Sequence, residues 1–185
     1  MSLGFEAQRI VDEPNAGGKS VVSEALSVEY FVKRFRATAI QTEMELTYWS
    51  EHWKKIDYSV VVGAQRVGVS VTRAMGFPTQ GAFTTGDARR LLKKKLYGLI
   101  VARAGIDESC KFGVAVLHTW CQSARIAKLL QEAFVELAAA EQERYVQEGG
   151  AEGGAWPPVT ENVVCLLTVA DTAPQVFTDE LAWFA

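Results

Sequence analysis

Several charged side chains stand where the surrounding pattern is apolar. Between Val21 and about Arg36 the apolar residues Val21, Ala25, Val28, Val32 and Phe35 recur at helical spacing. Turning that segment by about 100° per residue from Val28 puts Glu24 at about −40°, beside the centre of the apolar stripe, and Glu29 at about 100°, on its edge. A carboxylate facing inward costs several kcal/mol unless it is ion-paired, hydrogen-bonded or bound to a metal. A second helical pattern, centred on Leu92, carries Lys95 at about −60°, again inside the stripe. An ion pair or a helix-end hydrogen bond would account for Glu24, and an aliphatic stem reaching along the surface for Lys95. Asp57 opens the otherwise apolar, β-branched run IDYSVVV, where aspartate is disfavoured. Glu43 and Glu45 fall on one face of an alternating stretch just before it, a pattern that also suits a solvated strand face.

The elements that would hold these groups follow from periodicity. Ser20 is a suitable N-cap for the first helix. Three strand-like stretches come next, at Glu43–Trp49, Ile56–Val62 and Arg66–Arg73, the last two joined by a Gly63-Ala64 turn as a hairpin. Val67, Val69 and Val71 share one face of the third stretch, and Gly68, Ser70 and Thr72 the other. Thr84 or Thr85 caps a second helix that runs to about Ala104, with Gly105 as its stop. Lys111–Trp120 reads as a buried strand, Ser123 caps a long helix over 123–147, and Glu161–Val169 reads as a last strand. The order αβββαβαβ predicts an α/β fold: a three-layer αβα sandwich around a mixed sheet. Residues 1–148 form a single domain on this reading, with its core in 20–120. Residues 149–160, rich in Gly and Pro, are a linker, and 161–185 are a C-terminal strand and apolar tail.

The chain has 185 residues, 49% of them hydrophobic and 22% charged. That composition excludes a wholly disordered chain and supplies enough apolar material for one core. No apolar run reaches the ~18 residues of a membrane helix, so no membrane partner is expected. The first residues carry acids and no apolar signal core. Cys110, Cys121 and Cys165 are odd in number and lack C-x-x-C spacing, which points to reduced thiols and an intracellular protein, cytoplasmic or nuclear. The net charge of −3 is unevenly spread: residues 1–105 hold 15 Lys and Arg against 10 Asp and Glu, whereas 106–185 hold 4 against 12. A basic half suits an anionic partner, and it also suits two differently charged solvent faces.

An acid, Asp57, at the start of the second of the three strands and followed by a hairpin strand, within a helix, three strands, a helix and a strand, resembles the core of the PD-(D/E)xK nucleases, the restriction-endonuclease-like fold, over about residues 20–120. The resemblance gives Asp57 the place of the family's metal-binding aspartate and Glu24 that of the acid many members carry on the first helix. The family's (D/E)-x-K falls on Ser70-Val71-Thr72, so serine replaces the acid and threonine the lysine. Some members move the lysine to the neighbouring helix, where this chain has Lys95, and a migrated acid comes from Glu43 or Glu45. The resemblance thus implies Mg²⁺ held by Asp57, Glu24 and Glu45, with Lys95 stabilising developing negative charge, and phosphodiester hydrolysis as the reaction. DNA or RNA is the partner it implies, with Lys54, Lys55, Arg66 and Arg73 among the cations available to phosphates. The departures at Ser70 and Thr72 equally suit a degenerate nucleic-acid-binding domain. The alternative is a non-enzymatic protein-interaction or scaffold domain, favoured by the acidic C-terminal half and a tail, LAWFA, able to dock on protein or on a second copy.

Other signals are discounted. Gly18-Lys19-Ser20 lacks the upstream glycine and strand of a phosphate-binding loop. His52 and His118 lack partners at ligand spacing, and His118 reads as a satisfied core residue. His118 and Cys121 point to opposite faces of one strand. The five tryptophans read as core or interface anchors.

Overall fold

A computed structural model describes residues 3–13 and 20–180. Nine main elements follow one another: α1 (Phe5–Asp12), α2 (Val21–Phe35), β1 (Thr38–Thr42), β2 (Tyr58–Val62), β3 (Gln65–Ala74), α3 (Thr85–Gly105), β4 (Val114–Cys121), α4 (Ala124–Gln147) and β5 (Val163–Val169). The five strands form one open sheet in the order β1-β2-β3-β4-β5. The first three form an antiparallel meander. β4 and β5 then add in parallel, each reached through a helix.

Alternation along β3 divides the interior into two layers. Val67, Val69 and Val71 pack with Tyr58, Val60 and the α2 residues Val22, Ala25, Val28 and Phe31 on one face. On the other, Ala74 packs with Leu92, Leu96 and Leu99 of α3 and Ile126 and Leu130 of α4. Gly68 falls on this second face, and Phe112 presses against it so closely that a Cβ there would sit 2.7 Å from the ring. Helices therefore cover both faces of a mixed sheet, the α/β arrangement expected from the element order. α1 is an addition to that order, held where the Glu29 carboxylate accepts from the Gly4 N–H at 2.9 Å and from Lys33 Nζ at 2.6 Å.

Local chemistry explains where the helices begin. Thr84 and Asp87 exchange side-chain-to-backbone hydrogen bonds in a capping box at the start of α3. Ser123 Oγ accepts from the Ile126 N–H at 3.4 Å at the start of α4. Ser20 differs from its expected capping role, since its hydroxyl donates to Glu24 instead of accepting from the helix backbone.

The expected strand at Glu43–Trp49 is not one. The first strand lies earlier, at Thr38–Thr42, and ends in a turn in which Glu45 N–H donates to Thr42 O at 3.0 Å while the Glu45 carboxylate accepts from Thr42 N–H at 2.8 Å. The segment after it docks on the end of α3, with Trp49 N–H on Gly105 O and Asp107 N–H on Thr47 O, each at 2.9 Å. Its alternating Met44, Leu46 and Tyr48 reflect that docking: Leu46 is buried while Met44 is exposed. β5 extends the same sheet, so 149–160 is a connection within it. Among the described residues no helix is long and apolar enough to cross a membrane. The tail residues 181–185 and the loop residues Pro14, Gly17, Gly18 and Lys19 lie outside the described residues.

Candidate functional site

Strand direction gathers the charged groups. β1, β3, β4 and β5 run one way and β2 the other. The end of β1, the start of β2, the end of β3 and the first turns of α2 and α3 therefore share one rim of the sheet. Glu43 follows β1, Asp57 precedes β2, Glu24 lies in the first turn of α2, and Lys95 reaches β3 from α3. Ligand crevices of open α/β sheets lie at the carboxyl ends of their strands, which is this rim.

Asp57 is fixed by three backbone and side-chain bonds. Its N–H donates to Val69 O at 3.0 Å. Its Oδ2 accepts from Val71 N–H at 2.5 Å and from Ser70 Oγ at 3.1 Å. Ser70 therefore helps to hold the aspartate in place. Lys95 Nζ donates to Val71 O at 3.0 Å, so its ammonium is drawn onto the same β3 residue. This is the reason it lies in the apolar stripe of α3.

Glu24, Asp57 and Glu43 line one narrow cleft of about 20 Å³ with Ile10, Glu13, Thr42 and Met44. That is room for about one water or one small ion. Burial, followed by the negative charge of Asp57, pushes the Glu24 carboxyl up to about 7, against the lowering effect of the Ser20 hydroxyl and Lys95. Burial also raises Asp57, although Lys95, the Val71 N–H and Ser70 all favour its charged form. Two carboxylates thus share a poorly hydrated space with one cation behind them. Such a pair takes up a proton or a metal ion to relieve its charge.

The two candidate acids before β2 separate. Glu43 lines the cleft. Glu45 is folded back on the end of β1 and ion-paired to Arg9 at 2.6 Å. Read as one strand, the segment gives both acids one face; the turn at its start parts them. Thr72 follows Val71 on β3 and is half-buried. The basic candidates also divide. Arg66 sits at the other end of the sheet, opposite Val61 and bonded to Gln41 and Ser59. Lys54 and Lys55 lie in the segment leading to Asp57. Arg73 is engaged by Asp179 at 2.9 Å and by Thr178 O at 3.1 Å.

A second buried polar group had one visible member, His118. Its Nδ1 is 2.6 Å from Ser27 Oγ, which is 2.5 Å from the Tyr58 hydroxyl, and its Nε2 is 3.0 Å from Thr168 Oγ1. Burial lowers the imidazole to about 3, so it is neutral at physiological pH. Ser27 and Tyr58 carried no signal of their own, because a serine on a helix and a tyrosine in a strand are ordinary in either setting. Burial likewise pushes the Cys121 and Cys165 thiols up to about 12, which leaves neither as a nucleophile at neutral pH.

Among the described residues no group of three or more His, Cys, Asp or Glu side chains stands at metal-holding spacing. Glu13, Glu24, Glu43 and Asp57 all line the cleft, and carboxylate oxygens are donors of the kind that hard divalent cations take.

No family model matches the chain, and no solved structure matches it. It is 36% identical over 143 residues, 74% of its length, to a Dictyostelium discoideum protein described as "AAC-rich mRNA clone AAC4 protein". The match covers 21% of that relative, so the chain spans about a fifth of its length. The description names no activity.

Proposed function

We propose that this chain is a metal-dependent phosphodiesterase domain of restriction-endonuclease-like architecture acting on nucleic acid. The observation that carries the reading is the meeting of Asp57, Glu24 and Lys95 on one rim of the sheet, with Lys95 Nζ bonded to the carbonyl of Val71. The sheet order supports it as well: an antiparallel meander followed by a parallel strand after a crossover helix, with an acid opening the second strand, is the arrangement that the family resemblance implies.

Asp57 and Glu24 would hold Mg²⁺, with Glu43, which lines the same cleft, as the third acid in place of Glu45. A bound magnesium ion would supply Lewis acidity and a water acidified enough to attack phosphorus. Ser70 and the Val71 N–H keep one Asp57 oxygen fixed where the side chain lines the cleft. Lys95 stands beside Thr72, where the motif lysine is replaced, and its ammonium would offset charge growing on the phosphoryl oxygens.

The test is thermal unfolding with and without MgCl₂ or MnCl₂, on the parent chain and on Asp57→Asn, together with cleavage of a labelled oligonucleotide. Metal should raise the Tm of the parent and leave the variant unmoved, and cleavage should follow the same pattern. Equal response of the two proteins would defeat the assignment. A second reading is favoured by Ser70 and Thr72 standing in the motif positions and by the lack of a third carboxylate at ligand spacing among the described residues. It is a non-enzymatic domain that keeps the architecture and binds nucleic acid or protein without cutting. Metal-independent stability with intact folding would support it.

A further inference from the structure

The same rim continues past Asp57 to the exit of β3. Residues 75–84 leave β3 and return to cap α3, and they are tied at both ends: Gly76 N–H donates to Gln122 Oε1 at 3.1 Å, and Arg125 donates to Phe83 O at 3.1 Å. Between those ties Phe77 is 86% exposed, and Met75 beside it is 39% exposed. Both line a cleft of about 560 Å³, whose opposite wall is α3 with Arg90 and Lys94. That volume lies in the range of sites for a molecule of nucleotide size. Arg90 is paired with Asp87 on the exposed surface, a pairing of little worth that a phosphate can replace. Lys94 and its neighbour Lys93 take part in no ion pair among the described residues. Arg73, in the wall of this cleft, lies two residues beyond Val71, whose N–H bonds Asp57 and whose carbonyl accepts from Lys95, so the cleft lies next along β3 from the Asp57 rim.

We propose that this cleft seats single-stranded nucleic acid, with a base stacked on Phe77 and phosphates on Arg90 and Lys94, and that it guides the strand toward the Asp57 rim. The proposal rests on the phosphodiesterase reading for its direction and adds the form of the substrate. An aromatic ring held outward on an anchored loop offers a stacking face. In a duplex the base faces are already stacked, whereas an unpaired base has one to give. The flanking cations supply the attraction to the backbone that such sites combine with stacking.

Fluorescence anisotropy on the full chain tests this with labelled oligothymidylate, oligouridylate and a duplex of equal length across a salt series. Single strands should bind more tightly than the duplex, and binding should fall steeply with salt. Phe77→Ala should weaken single-strand binding about tenfold with the salt slope unchanged, and Phe77→Trp should restore it. Lys94→Ala should reduce the slope of log K against log salt by about 0.7. Both side chains are exposed, so these variants should keep the parent Tm. Equal binding of duplex and single strand, indifference to Phe77→Ala, or equal competition by a polyglutamate peptide would overturn the proposal. A preference for one oligonucleotide would separate RNA from DNA. The two readings fail separately. Phe77-dependent binding without metal-dependent cleavage would defeat the phosphodiesterase and keep this surface. Cleavage lost in Asp57→Asn, with binding indifferent to Phe77, would do the reverse.

Discussion

Asp57 and Tyr58 are sequence neighbours that serve opposite kinds of polar cluster. Tyr58 turns into the α2 layer, where its hydroxyl, Ser27, His118 and Thr168 form an uncharged chain with no side-chain polar atom left unpaired. Asp57 opens onto the rim, where it and Glu24 repel each other across a cleft with Lys95 behind. The first cluster is complete within the protein and stabilises it. The second is left with excess negative charge, which a proton or a cation relieves. Burial alone therefore does not distinguish the two clusters; the balance of charge within each does.

Their pH dependences should have opposite signs. His118 is lowered from its ordinary 6.5 to about 3, so on acidification the unfolded chain binds a proton that the native protein refuses, and stability falls as the pH drops below 6.5. The largest expected effect is His118→Ala, which opens a cavity and strands Ser27 and Thr168. It should cost about 4 kcal/mol and flatten the acid limb of a Tm-against-pH curve. Glu24 is raised from 4.5 to about 7, so between those values the native protein holds a proton that the unfolded chain has released. Stability from this group is present below 4.5 and lost as the pH rises through 7. Glu24→Gln should therefore match the parent near pH 4 and exceed it at pH 8, by about 3 kcal/mol, seen as several degrees in Tm. Saturating Mg²⁺ should recover about 2 kcal/mol of that loss in the parent and none in Glu24→Gln. If the variant and the parent keep equal Tm at pH 8, the contrast between the clusters collapses. The smallest effect belongs to Glu45→Gln. It breaks a partly exposed pair with Arg9 and should change stability by under about 1 kcal/mol, with metal response intact, as denaturant titration would register.

The architecture was readable because its signals are local. Apolar spacing in 21–36, the Thr84 and Ser123 caps and the alternation of Val67, Val69 and Val71 each act within a few residues. The inward positions of Glu24 and Lys95 were legible for the same reason: helical geometry fixes a direction once the stripe is known. What eluded the sequence depends on distant partners. The alternation of Met44, Leu46 and Tyr48 imitates a strand, yet its backbone bonds go to Gly105 and Asp107, across the whole of α3 in sequence. That displacement carried Glu45 away from the site and left Glu43 in it. Ser27 and Thr168 meet through His118 at separations no local pattern encodes. α1 is only eight residues long, anchored by Glu29 of the next helix, and too short to announce itself by periodicity.

The position of β5 sets an order in time. The meander of β1, β2 and β3 joins segments close along the chain, whereas β5 reaches β4 only after the 24 residues of α4 and the turns that follow. Contacts that close long loops form slowly, and synthesis delivers this strand after the other four. Until it arrives, the outer edge of β4 is bare and the second nitrogen of His118 lacks Thr168. A nascent chain ending near residue 148 would therefore hold the Asp57 rim nearly assembled while an apolar strand edge still awaits its neighbour. In that interval the protein is most exposed to mispairing with another copy of itself.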